Sequence, residues 1–178
     1  MVEITYQMVL STLQTIALIV GIAYYLFIMR NSQRNQELAR KTQEQALETR
    51  QAQLFMQIYS KFTEEYFNRN FFEFQARQWR DTDDYIEKYD ENIEARAKFA
   101  TLANYFEGVG VLVKRGLIDV SLMDDLMSGG IIMFWEKIED VIKETRIRYN
   151  FPQRAEYIEY LYNQIKTVVE EQHPELKT

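Results

Sequence analysis

The chain has no cysteine among its 178 residues. That absence removes disulfides, thiolate nucleophiles, iron–sulfur clusters and Cys-type zinc sites together. It fits a reducing compartment. Histidine is nearly absent too: the single one, His173, sits beside Pro174. The paired Glu-x-x-His ligands of a di-iron bundle cannot be built from it. No serine has a histidine nearby in sequence for nucleophilic catalysis. Basic residues are outnumbered, with 21 Lys and Arg against 27 Asp and Glu and a net charge of -6. A nucleic-acid module normally presents a basic face, so no nucleic-acid partner is expected. Two prolines and six glycines leave few interruptions, and no segment alternates apolar and polar residues for long. The expected fold is all-α, with long helices and no sheet.

Charge is missing altogether from Ile4 to Met29. As a helix, Met8 to Met29 would span roughly 33 Å at about 1.5 Å per residue, close to the ~30 Å hydrocarbon core of a bilayer. Ser11, Thr12, Gln14 and Thr15 dilute the first half, so the apolar peak is IALIVGIAYYLFIM, Ile16 to Met29. A soluble core helix would keep a polar face, and this peak has none. A cleaved signal peptide would begin with Lys or Arg and end in small residues. Here only Glu3 precedes the run, and Phe27-Ile28-Met29-Arg30 ends it. The run reads as a permanent transmembrane helix, with residues 1–29 forming the tail and single-pass anchor.

Arg30, Arg34, Arg40 and Lys41 follow the span, and no Lys or Arg precedes it. Positive flanks stay in the cytoplasm, so the expected topology at the cell membrane is N-terminus outside and the C-terminal domain cytoplasmic. Tyr6 near one end and Tyr24 and Tyr25 toward the other suit interfacial positions or packing against a neighbouring helix. Arg30 and Arg34 are candidate contacts with membrane lipid, although signalling topology alone is the simpler role. Within the span, Ala17 and Gly21 make a small-xxx-small pair and Gln14 offers an amide. These three form a candidate helix–helix interface.

Arg30 to Lys61 contains neither Gly nor Pro and is rich in Gln, Glu, Arg and Ala. These are strong helix formers, so the anchor should continue unbroken into a juxtamembrane helical stalk, residues 30–60. The stalk is polar nearly all round as far as Ala46, as in a solvated spacer or an oligomer with a polar seam. From Leu47 a stripe through Leu54, Ile58 and Phe62 marks entry into a packed helical bundle, residues 61–178. There Phe67, Phe71, Phe74 and Gln78 share a face, and a loop is expected at Asp81 to Asp84. Ile93 to Lys114 carries Phe99, Leu102, Phe106, Val109 and Val113 at helical spacing, with Gly116 in the C′ role. A short helix capped by Asp119 or Ser121 should stop at Gly129-Gly130. A further helix, Ile131 to about Tyr149, should break at Phe151-Pro152. The last helix should hold Pro152 in its first turn, turn Tyr157, Leu161, Ile165 and Val168 inward, and close at His173-Pro174.

Three stretches carry a resemblance: NYFEGVGVLVKRGLIDVSLMDDLM, FWEKIEDVIKETR and YIEYLYNQIK. Through Asn104, Phe106 and Glu107, then Gly116, Leu117, Ile118 and Asp119, then Trp135, Ile142 and Arg146, the order of features resembles an uncharacterised prokaryotic family. Its members have one N-terminal membrane helix followed by a helical cytosolic domain of unknown function. The likeness covers a little over a third of the chain, plus the anchor by layout. It implies an anchored helical domain and no activity.

Constellations for chemistry are few. Asp81, Asp83, Asp84 and Glu87 suggest a carboxylate cation site, but the calcium-loop pattern needs Gly at its sixth position and Glu at its twelfth. Those positions hold Ile86 and Asn92, so a solvated acidic loop is expected. Ser128-Gly129-Gly130 lacks the spacing and the Lys of a phosphate loop and reads as a helix corner. Glu107, next to inward Phe106, is the one carboxylate placed for acid–base work, but pairing with Arg115, Arg146 or Arg148, or capping a neighbouring helix, is the simpler role. No metal, cofactor or small-molecule substrate is expected, and no enzymatic activity. The function expected is self-association or partner binding at the cytoplasmic membrane face. The alternative is an accessory subunit of a larger membrane complex, with Gln14 and Thr15 bonding to another subunit. Trp79, Trp135 and other aromatics would form either an interface or the core.

Overall fold

Helix propensity and the scarcity of Gly and Pro set the architecture. The computed structural model describes residues 6–172, and no strand occurs among them. Its helices are α1 (Tyr6–Phe62), α2 (Glu65–Ala76), α3 (Thr82–Tyr85), α4 (Ile93–Lys114), α5 (Val120–Arg148) and α6 (Glu156–Gln172). A single π-helical turn, Ile86–Asp90, follows α3. The protein is all-α. Packing divides the chain into two units, Met1–Thr49 and Arg50–Thr178.

Over its described residues the first unit is helix alone. α1 runs through the apolar segment and the stalk without a break, and every described side chain up to Thr49 is exposed. In the diluted half of the apolar run, hydroxyls turn back on their own helix. Thr12 Oγ1 donates to the Met8 carbonyl at 2.8 Å, and Thr15 Oγ1 to the Ser11 carbonyl at 2.9 Å. Satisfied this way, they cost little in apolar surroundings. Thr15 therefore places its hydroxyl proton within its own helix and keeps its acceptor lone pairs.

The second unit is built around aromatic rings. Phe67, Phe71 and Phe74 of α2, Phe99 and Phe106 of α4, and Phe134 of α5 are buried together. Phe106 and Phe134 lie 4.7 Å apart between ring centroids. Such contacts add about 0.5–1.5 kcal/mol per pair beyond the area buried. The end of α1 joins this core through Phe55, which is 5% exposed, with Ile58 and Phe62 packed against it. Leu47, expected at the start of the stripe, is 59% exposed. Gln78 is also exposed, because α2 ends at Ala76 and Gln78 lies beyond it. Trp135 is wholly core, whereas Trp79 is half-buried, 5.0 Å from the Tyr85 ring.

α4 has the expected limits, and Gly116 closes it at φ 66°. The Gly116 amide reaches the Val113 carbonyl and the Leu117 amide the Leu112 carbonyl, which is the double bond of a Schellman turn. Asp119 caps α5 by accepting from the Ser121 amide at 2.9 Å. The expected stop at Gly129-Gly130 does not occur: α5 continues to Arg148. The Phe62 ring lies where a side chain at Gly130 would be, with Cζ 2.7 Å from an ideal Cβ. Close packing, not chain reversal, is the reason for that glycine.

α5 ends in a second Schellman turn, with Asn150 at φ 49° and the Phe151 amide on the Arg146 carbonyl. Pro152 belongs to the connecting turn and not to α6, which begins at Glu156. The inward face of α6 is Ile158, Leu161, Tyr162 and Ile165. Tyr157 and Val168, expected inward, are only half-buried. The expected closure at His173-Pro174 lies outside the described residues. Asp81 to Asp84 is not a plain loop: Asp81 caps α3 by accepting from the Asp84 amide at 2.9 Å.

Candidate functional site

Two places concentrate polar groups in an unusual setting, one in each unit. In the first, α1 is the one helix among the described residues long and apolar enough to cross a membrane. Its 18-residue apolar window has a mean hydropathy of 1.9 and is unburied. Gln14, Ala17 and Gly21 all lie on this segment, exposed, and a Cβ added at Gly21 would meet nothing within 4 Å. Arg30 and Arg34 are exposed just beyond it.

The stalk has an order that hydropathy alone misses. At about 100° per residue, the seven charged side chains from Arg30 to Glu48 fall within an arc of about 120°. Within that arc they pair along the helix: Lys41 with Glu37 at 3.0 Å and Arg40 with Glu44 at 3.2 Å. The opposite face carries Asn31, Asn35, Leu38, Ala39, Thr42 and Ala46, without a charge. A helical projection of the sequence contains this signal. A reading of polar against apolar residues does not, because amides and charges score alike.

In the second unit, a cleft of about 230 Å³ opens where α4 faces the start of α6 and the turn after α5. Phe99, Asn104, Glu107, Phe151, Arg154 and Ile158 line it. The Glu107 carboxylate accepts the Ile158 amide at 2.9 Å. It therefore caps the N-terminus of α6, where exposed amides and the helix dipole favour an anion. Burial pushes its carboxyl above the usual range, against the Ile158 and Tyr157 amides that pull it down. Arg146, offered by the sequence as a partner for Glu107, instead bonds Glu159 at 2.6 Å and the Arg154 carbonyl at 2.8 Å. Arg115 is exposed on the turn after α4, and Arg148 pairs with Asp83 and Glu144. Ala155, at φ 57°, holds the strained backbone that presents these α6 amides to Glu107.

The acidic segment proves to be occupied by cations of the chain itself. Asp84 accepts from Lys88 at 2.7 Å and from Arg80, and Asp83 pairs with Arg148 at 2.6 Å. Among the described residues no cluster of three or more acidic or His side chains is placed to hold a metal ion. Trp79 lies under the Lys137 ammonium, 4.6 Å from its ring.

No curated protein matches the chain, and no solved structure matches it. A family model does, and it spans both the exposed apolar helix and the cleft-bearing bundle. Residues 11–165 match the domain of unknown function DUF4760, a far larger share than the stretches that first carried the resemblance, and the chain belongs to that family.

Proposed function

We propose that the protein is a membrane-anchored, non-catalytic helical module that mediates self-association or partner binding at the cytoplasmic membrane face. The observation that carries this reading is the exposed apolar length of α1, followed directly by Arg30 and Arg34. Burying that surface in lipid satisfies the hydrophobic effect, and the helical backbone brings no unpaired amide into the bilayer. The polar groups of the cleft support a structural role, because Glu107 is committed to capping α6 and Arg146 to Glu159. Alkaline carbonate extraction of native membranes, then mass measurement in mild detergent, tests the proposal. The chain should stay with the membrane and run as more than one copy. Release into the carbonate wash, or a one-chain particle without partners, would overturn it.

A second reading, an accessory subunit of a larger membrane complex, is favoured by the end of α5. Ile147, Tyr149 and Phe151 are all exposed there, Ile147 by 83%. Apolar side chains grouped this way suit a contact with a different protein. Co-purification of unrelated chains in stoichiometric amounts would support this reading over the first.

A further inference from the structure

We infer that the charge-free face of α1 is the seam along which two copies of this chain pair, parallel and in register. The inference rests on the membrane-anchored, self-associating reading and specifies its surface. Two separate features fall on one side of a single helix. In the apolar segment, Gln14, Ala17 and Gly21 follow one another in steps of three and four. Continued at the same spacing, those steps reach Asn35, Leu38 and Thr42 in the stalk, all on the side that carries no charge, with Leu38 toward its edge beside Arg34. Alternating steps of three and four define the seam of a left-handed coiled coil.

The chemistry of the face selects its occupant. In a two-fold pair the same patch meets itself, so any charge in it would oppose its own copy. This face has none from Arg30 to Glu48, and the charges on the far side pair within their own helix. Amides suit such a seam because an Asn opposite an Asn can both donate and accept. The same steps place Asn31 and Asn35 ahead of Leu38, and buried Asn positions set register at some expense in stability. A partner of opposite charge would find nothing here to pair with. Two copies held by the same anchor enter the membrane in the same direction and at the same depth, which makes the pair parallel. Ala17 and Gly21 then allow close approach within the bilayer, where the Gln14 amide has a polar partner in the other copy.

The absence of cysteine makes the test clean. In the full-length chain in native membranes, Asn35→Cys and Leu38→Cys should oxidise to a disulfide-linked dimer as the major product. Glu37→Cys and Glu44→Cys, on the charged face, should give only background. Leu38→Lys and Thr42→Lys should reduce the particle in mild detergent to one chain, and Glu44→Lys should leave it unchanged. Equal cross-linking on both faces, or cross-linking at the seam to a different protein, would overturn the inference. So would an unaltered oligomer that cross-links nowhere along the seam, although self-association itself would then survive. A one-chain particle from the unaltered protein would defeat both.

Discussion

Two buried or half-buried carboxylates in the second unit are tuned in opposite directions, and their pH signatures should differ in sign. Asp84, with 4% of its side chain exposed, is held at about 2 by the Lys88 ammonium and then by the Arg80 amide. A carboxyl whose folded value lies below its unfolded value of about 3.9 stabilises the fold above that pH. The contribution fades as pH falls toward 2. Asp84→Asn should therefore lower the melting temperature of the full-length chain at neutral pH, and the gap to wild type should narrow between about pH 4 and pH 2. Glu107 is shifted the other way, upward from 4.5, by burial. Its folded state favours the proton, so wild type loses stability as pH rises from 4.5 through the raised folded value. Glu107→Gln has no such dependence. Across that window the stability difference should move in favour of the Gln variant, as read by thermal unfolding followed by far-UV circular dichroism. A flat difference would mean that the amides of Ile158 and Tyr157 fully offset burial, and a shift in favour of wild type that they outweigh it.

At the scale of elements, the paired glycines of α5 separate what sequence discloses from what packing decides. Gly129 and Gly130 are neighbours of one type, yet a Cβ at Gly129 meets nothing within 4 Å and one at Gly130 meets the Phe62 ring at 2.7 Å. Gly129→Ala should stabilise by about 0.5–1 kcal/mol, because alanine loses less entropy in a helix. Gly130→Ala should destabilise by about 1–3 kcal/mol through overpacking. Melting temperatures of the two variants should move in opposite directions. If both rise, Phe62 yields easily and the close contact does not constrain α5. This pair also shows why the sequence suggests two helices where the fold has one. The stop signal is local, and the ring that leaves no room for a side chain at Gly130 comes from the end of α1. By contrast, the limits of α4 and the roles of Gly116 and Asp119 were legible, because period, C-cap and N-cap chemistry act within a few residues. Glu107 was legible as a position of interest. Its partner, the Ile158 amide, lies 51 residues away and no local pattern announces it. The expected stripe does reach the core through Leu54, Ile58 and Phe62, but it runs along the edge of the packed face and leaves out Phe55, the buried residue next to Leu54.

For the molecule as a whole, charge is divided between the units as unevenly as hydrophobicity. Residues 1–49 hold four Lys or Arg against four Asp or Glu, so the whole net charge of -6 lies in residues 50–178, with 17 against 23. Net charge is thus no guide to how α1 is oriented. Orientation follows the position of Lys and Arg next to the span, and acidic residues contribute little to it. That distinction yields a topological prediction with a built-in control. Glu65, 86% exposed on its side chain at the start of α2, takes a reporter as Glu65→Cys in a chain that has no other thiol. In intact cells a membrane-impermeant maleimide should not reach it, and permeabilisation should make it reactive. With Arg30→Gln and Arg34→Gln added, a fraction of chains should label from outside. Arg30→Glu with Arg34→Glu should give nearly the same fraction, because what is lost is retained positive charge. If the Glu pair is much the stronger, attraction of these side chains to anionic headgroups, about 1 kcal/mol for each cation, is what holds the helix end at the surface. Labelling of the otherwise unaltered chain in intact cells would place α2 on the outer side and reverse the proposed topology.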